Sequence, residues 1–216
     1  MELRRIEAIL STHETECLVI GVPQADSVKT SSQELDICIQ NLIDSGDFKA
    51  ESGSTIILRN QSNIVATRIV IIGLGNRKKN DVLAQLEAFK GLGKLLRNLP
   101  IESVTLDMAS LGQDDLGAAE RLAYGLVWSA YEYVTTKAKP EDRNSKIIKL
   151  IELIGSNDDE SAMHRGIATA QGANLARQLG NLPANICTPS YLADQAVRLA
   201  DRFEKLSCEI LDEDAM

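Results

Sequence analysis

Two histidines, four cysteines and three runs of acidic residues carry most of the side chains in this 216-residue chain that could do chemistry. His13 and His164 stand far apart, and neither has a carboxylate or cysteine at ligand spacing, so the pair does not read as a metal site. Cys17, Cys38, Cys187 and Cys208 are dispersed with no Cys-x-x-Cys pair. They read as reduced, inert, small apolar side chains and not as a zinc site, a disulfide framework or a nucleophile. General acid-base catalysis needs carboxyls that converge in a cleft. Asp114-Asp115, Asp158-Asp159-Glu160 and Asp212-Glu213-Asp214 lie instead among polar neighbours, where helix caps and solvated charge are expected. No Gly-x-Ser-x-Gly elbow occurs.

Gly73-Leu74-Gly75 lies between an apolar strand pattern and a helical pattern, the setting in which backbone N–H groups and a helix dipole hold a phosphate. The third glycine of a dinucleotide fingerprint is replaced by Lys78, and no Gly-Lys-Ser/Thr follows. A tight strand-to-helix turn is therefore favoured over nucleotide binding, and Arg77, Lys78 and Lys79 read as solvated cations. Asn181 and Asn185 read as turn formers. On this basis the chain has no assigned catalytic, cofactor-binding or metal-binding residue.

Short apolar runs alternate with helical patterns up to about residue 155, which predicts a layered α/β domain. Strands are expected at 17–22, 55–58, 68–72, 103–106 and 147–154, with a first one around 3–9. Leu18-Val19-Ile20 and Ile69-Val70-Ile71-Ile72 are apolar without alternation, so they belong at the centre of a sheet covered on both faces. Leu35, Ile39, Leu42 and Ile43 mark a helix that Gly46 ends. Val82 to Leu99 marks a longer helix closed by Pro100. Asp114 is expected to cap a third helix, which runs to Tyr131 and packs Trp128 against the sheet. Residues 135–145 read as an exposed loop.

The composition break at Gly155 to Glu160 sets the domain limits at 1–156 and 157–216. One long helix is expected from Ser161, and after Pro183 a second from Pro189 to about Lys205, with Thr188 as its cap and Pro189 at its first position. Ser207 to Leu211 reads as a strand without partners.

Hydrophobic residues make up 44% of the chain and charged residues 25%, which is enough apolar side chain for a packed interior. With 23 basic against 31 acidic residues the net charge is −8, which disfavours nucleic acid as a partner. No run of about 18 apolar residues appears and the amino terminus carries acids. A cytoplasmic, non-membrane protein is expected.

Gly180-Asn181-Leu182-Pro183-Ala184-Asn185-Ile186-Cys187-Thr188-Pro189 resembles the inter-domain connection of the leucyl aminopeptidase (cytosol aminopeptidase) family. Ile72-Gly73-Leu74-Gly75 and the cluster Trp128, Tyr131 and Tyr133 are similar to that family's amino-terminal half. The resemblance implies a three-layer α/β sandwich with a mostly parallel mixed sheet, macro-domain-like, followed by connecting helices. It implies a parent enzyme that releases amino-terminal residues from peptides with two divalent metal ions, zinc or manganese. Its metal ligands lie in motifs of a carboxy-terminal domain that no stretch here matches. The chain is therefore expected to be an inactive assembly part, partnered by its own catalytic domain and by other copies in a hexamer. The alternative is a free-standing macro-like module that binds a nucleotide-type ligand such as ADP-ribose at the Gly73 to Lys79 turn. The apolar stripe Leu192, Ala196, Leu199, Ala200 and Phe203 is expected to lack its cover, causing self-association or disorder beyond Asn181.

Overall fold

The computed structural model describes residues 2–24, 30, 32–61, 64–76, 81–112, 115, 117–136, 148–212 and 214–215. The chain forms two compact units. The first contains Met1–Tyr131 with Asp142–Gly172, the second Glu132–Glu141 with Ala173–Met216.

Among the described residues the first unit is built on six strands: β1 (Glu2–Ile6), β2 (Leu18–Pro23), β3 (Thr55–Arg59), β4 (Arg68–Gly75), β5 (Ser103–Asp107) and β6 (Leu150–Ile154). They lie in the order β1-β6-β5-β2-β4-β3. Only β3 runs antiparallel to its neighbour; the other pairings are parallel. The two continuous apolar runs lie side by side, with Leu18 opposite Ile69 and Ile20 opposite Ile71. Every residue of β2 is buried, as expected of a strand with a layer on each face.

Alternation along β2 and β4 divides the core. Leu18, Ile20, Ile69 and Ile71 meet Leu35 and Ile39 of α1 (Gln33–Asp44). Val19, Val70 and Ile72 join Phe89, Leu92 and Leu96 of α2 (Val82–Arg97), Met108 and Leu111 of α3 (Met108–Leu111), and Leu122 and Leu126 of α4 (Ala118–Ala130). Ala162 and Met163, from the first half of α5 (Asn157–Asn181), complete that layer. Each fully buried Leu, Ile or Phe contributes about 1.5–3 kcal/mol relative to exposure, so these two layers dominate the favourable side of folding. α2 and α4 approach closely because Gly125 has no side chain: a Cβ there would lie 2.7 Å from the Phe89 carbonyl carbon.

Local signals explain the element ends. Ser32 accepts from Leu35 N–H and Asp81 from Ala84 N–H at the starts of α1 and α2. Gly46, with φ of +81°, follows α1 and donates to the Ile43 carbonyl. Ser156 and Asp159 bond reciprocally at the start of α5, the Asp159 N–H to the Ser156 hydroxyl (3.1 Å) and the Ser156 N–H to the Asp159 carboxylate (2.8 Å).

Several expectations differ from the structure. Gly73 and Gly75 close β4 and do not form a separate turn. α3 was not expected; at four residues it is too short for a periodicity to show. Trp128 lies beneath the ammonium groups of Lys90 (4.5 Å) and Lys94 (5.9 Å) of α2, a cation–π arrangement that replaces the expected packing on the sheet. Asp114, the expected cap of the third helix, lies outside the described residues, as do Arg77, Lys78, Lys79 and most of the expected loop at 135–145.

The second unit contains α6 (Pro189–Arg202) and the end of α5. The Thr188 hydroxyl accepts from the Tyr191 N–H at 3.3 Å and Pro189 occupies the first turn, as the sequence predicts. Gln178 donates to the Thr135 hydroxyl (2.9 Å). Residues 207–211 form no strand; a strand requires a neighbour to complete its ladder.

Candidate functional site

Glu152 sits in the middle of β6 between two residues of the apolar core, Ile151 and Leu153. The strand period turns it to the opposite face, where it is 5% exposed. Arg4 of β1 donates to one of its oxygens. His13 Nε2 (2.7 Å) and the Thr105 hydroxyl (3.1 Å) reach the other. Thr105 in turn lies 2.9 Å from the Thr15 hydroxyl. A carboxylate only accepts, so His13 Nε2 carries the proton. Burial alone would raise the Glu152 carboxyl, but the hydrogen bonds from Arg4, His13 and Thr105, with the charge of His13, outweigh it and hold the group below its usual range. The cluster fastens β1 and residues 13–15 to the sheet. It presents no free nucleophile, base or open metal position.

Asp107, the last residue of β5, is fully buried. Burial pushes its carboxyl up, against the pull of the Ser110 hydroxyl and the N–H groups of Ala109 and Ser110, and Asp36 adds repulsion.

The backbone at the end of β4 is already committed. Gly73 N–H donates to Ser54 O (2.8 Å) and Gly75 N–H to Ala50 O (3.1 Å). A Cβ on Gly73 would overlap the Glu51 carbonyl oxygen, so glycine is needed there for close packing of the Ala50–Ser54 turn. The start of α2 is filled by the Asp81 carboxylate. A phosphate there would find neither glycine N–H free and an anion in its place.

A groove of about 320 Å³ between α2, α4 and α5 is lined by Val82, Leu86, Glu120, Arg121, Tyr124 and Thr169, among others. Its charges are mutually engaged. Arg121 donates to Gln85 and Asp115, and Arg165 to Glu120 (3.2 Å).

His164 is exposed, and so are Asn181 and Asn185. Asp159 serves as a cap, and Asp212 accepts from the Ala215 N–H (3.0 Å). Cys17 is buried, and its thiol is pushed up by burial to about 12. Cys208, by contrast, is exposed and departs from the buried role expected of it. Among the described residues no three His, Cys, Asp or Glu side chains group to hold a metal ion. The ligand set for a two-metal hydrolase is not found there.

α6 presents the most prominent surface. Its fourteen residues include none that is buried. Leu192 is 45% exposed and Phe203, just beyond its end, 52%; Ala196 is also exposed, while Leu199 and Ala200 are half-buried. Leu206, Ile210 and Leu211 continue the exposed apolar series. The stripe expected from the sequence is thus present on a formed, capped helix with little cover.

A mixed sheet between helical layers, followed by an uncovered amphipathic helix, defines an α/β domain with a helical extension. The profile described as "Cytosol aminopeptidase family, N-terminal domain" matches residues 19–140, and the chain belongs to that family. It is 33% identical over 219 residues to a probable cytosol aminopeptidase of Xanthomonas campestris pv. campestris (strain B100), covering 97% of this chain and 43% of the relative. It is 34% identical over 218 residues to one from Chromohalobacter salexigens, covering 94% and 42%. The chain thus spans less than half the length of these curated relatives. Among solved structures, a tomato leucine aminopeptidase mutant shares the fold with a TM-score of 0.77 at 20% identity, covering 100% of this chain and 45% of that one. The bottromycin maturation enzyme BotP does so with a TM-score of 0.70 at 20% identity, covering 93% and 40%.

Proposed function

We propose that this chain is the amino-terminal assembly and scaffolding part of a cytoplasmic, metal-dependent leucyl aminopeptidase. Residues 1–156 form its amino-terminal domain; residues 157–216 supply the connecting helices and the start of the peptidase domain. The peptidase domain of the same protein covers the α6 stripe, and zinc or manganese ions bound there carry the hydrolysis of peptide amino termini. Alone, the chain is catalytically silent.

The observation that carries this reading is α6 itself. A helix with a side-chain cap and proline in its first turn is specified to form. Leaving Leu192, Ala196 and Phe203 in water has a cost that only a covering surface removes. Family membership supports reading that surface as the rest of an aminopeptidase. The committed amides of Gly73 and Gly75, with the Asp81 cap, give no support to ADP-ribose as the ligand.

The test is hydrolysis of leucine amide by the purified chain with manganese or zinc. The expected result is no turnover above buffer; steady turnover overturns the reading. In parallel, light scattering is expected to show self-association of the chain through α6, abolished by Leu192→Asp with Phe203→Asp. A wild-type monomer would remove the argument from the uncovered stripe.

A further inference from the structure

β3 and β4 pair antiparallel, and the last pair of that ladder sets Arg59 directly opposite Arg68. Two residues along each strand, Ile57 packs against the α2-side cluster and Val70 belongs to it, so strand alternation puts both arginine side chains on that same face. Residues opposed in this way have Cα atoms about 4.5–5.5 Å apart, and like charges so placed destabilise the ladder. Among the described residues neither side chain makes a hydrogen bond or ion pair that would relieve them. Arg59 is exposed, but Arg68 is half-buried, and its Nε–H is sealed from water without an acceptor. A buried donor on a charged group is seldom left in that state.

Two neighbouring groups could have served as counter-charge, and neither does. The register that sets Leu18 against Ile69, carried one step back, brings Cys17 beside Arg68, and Cys17 lies in the α2-side cluster. Its thiol, pushed up by burial to about 12, stays neutral. Glu16, the acid next to it, is turned towards β5, where its carboxylate accepts from the N–H groups of Glu102 and Ser103 (2.9 Å).

We propose that Arg59 and Arg68 form an oxyanion site, at the end of the β3–β4 ladder remote from Gly73 and Gly75, that takes a small phosphate or carboxylate ligand between the two guanidinium groups. A guanidinium is planar and always charged, and its N–H groups form a fork that matches two oxygens of one anion. Arg68 supplies its Nε–H together with a terminal N–H, brought into reach by rotation of a side chain that no hydrogen bond holds. Arg59 closes on the anion from the solvent side. The ligand satisfies the orphaned donor and turns a repulsion between two cations into two attractions.

Titration of the full chain with inorganic phosphate, and separately with acetate, tests this at the Arg68 Nε–H magnetic resonance signal, with ionic strength held constant by sodium chloride. The expected result is a saturable shift with half-saturation in the millimolar range, and the anion that saturates at lower concentration identifies the ligand as phosphate or carboxylate. Arg59→Gln, a change at an exposed position, is expected to weaken binding by about tenfold, the effect of losing one charged hydrogen bond. Arg68→Lys keeps the charge but loses the fork, and is expected to weaken it at least as much. Should Arg68→Lys fail to fold, the wild-type and Arg59→Gln titrations still decide. A shift that grows linearly with both anions and never saturates overturns the site, as does one with the same midpoint in wild type and Arg59→Gln.

Discussion

Replacing Glu152 by alanine is expected to be among the most damaging single changes in the first unit that leave its apolar layers intact. The Thr105 hydroxyl is fully buried and the His13 side chain is 20% exposed. Each loses a hydrogen bond to a charged acceptor, worth about 1.5–3 kcal/mol. Arg4 stands half in water and is left out of the total. Thr105 keeps its contact with Thr15, which places its loss at the lower end. The expected destabilisation is about 3–4 kcal/mol, or roughly 10 °C in melting temperature for a domain of this size. Glu152→Gln keeps the shape and should cost less, about 1–2 kcal/mol. Because the folded-state carboxyl lies below its ordinary value of 4.5, its contribution is present above that pH and is lost as pH falls through the folded value. Urea unfolding followed by circular dichroism at pH 7 and pH 3.5 measures both points. The gap between wild type and Glu152→Ala should be widest at pH 7 and narrow in acid. A loss under about 1 kcal/mol at pH 7, or a gap that widens in acid, would refute the reasoning.

Gly73→Ala should destabilise by about 1–3 kcal/mol, because its Cβ meets the Glu51 carbonyl and the Ala50–Ser54 turn must move; thermal melts would show it, and an unchanged melt would mean the turn yields freely. Thr188→Ala should loosen α6 by about 1 kcal/mol, seen as faster exchange at Tyr191 and Leu192 with the first unit unaffected. Cys208 should react readily with a thiol reagent at pH 8, whereas Cys17, whose thiol is pushed up to about 12, should react only on unfolding; labelling of both at equal rates in the folded chain would contradict its burial.

Much of the sheet was legible from local pattern. Leu18 to Ile20 and Ile69 to Ile72 announce central strands because apolar residues without alternation need cover on both faces. Gly46, Thr188 and Pro189 mark helix ends through backbone preferences that act within a few residues. The Glu152 cluster was not read, since its partners lie 148 and 139 residues away at Arg4 and His13. A signal was nevertheless present: an acid at the centre of Leu150-Ile151-Glu152-Leu153-Ile154 must find donors once the strand is buried. Asp107 at the end of Val104-Thr105-Leu106 carried the same signal. Trp128 was misplaced because its partners depend on which face of α4 meets α2, which periodicity alone does not settle.

The pairing of β1 with β6 has a consequence for biosynthesis. Of the two strands, Glu2–Ile6 leaves the ribosome before its partner, Leu150–Ile154, which emerges almost 150 residues later. One border of the sheet therefore stays unsealed until that strand emerges, and closing it is a long-loop event of the kind that slows folding. Nascent chains in that interval offer a bare strand edge to chaperones or to one another.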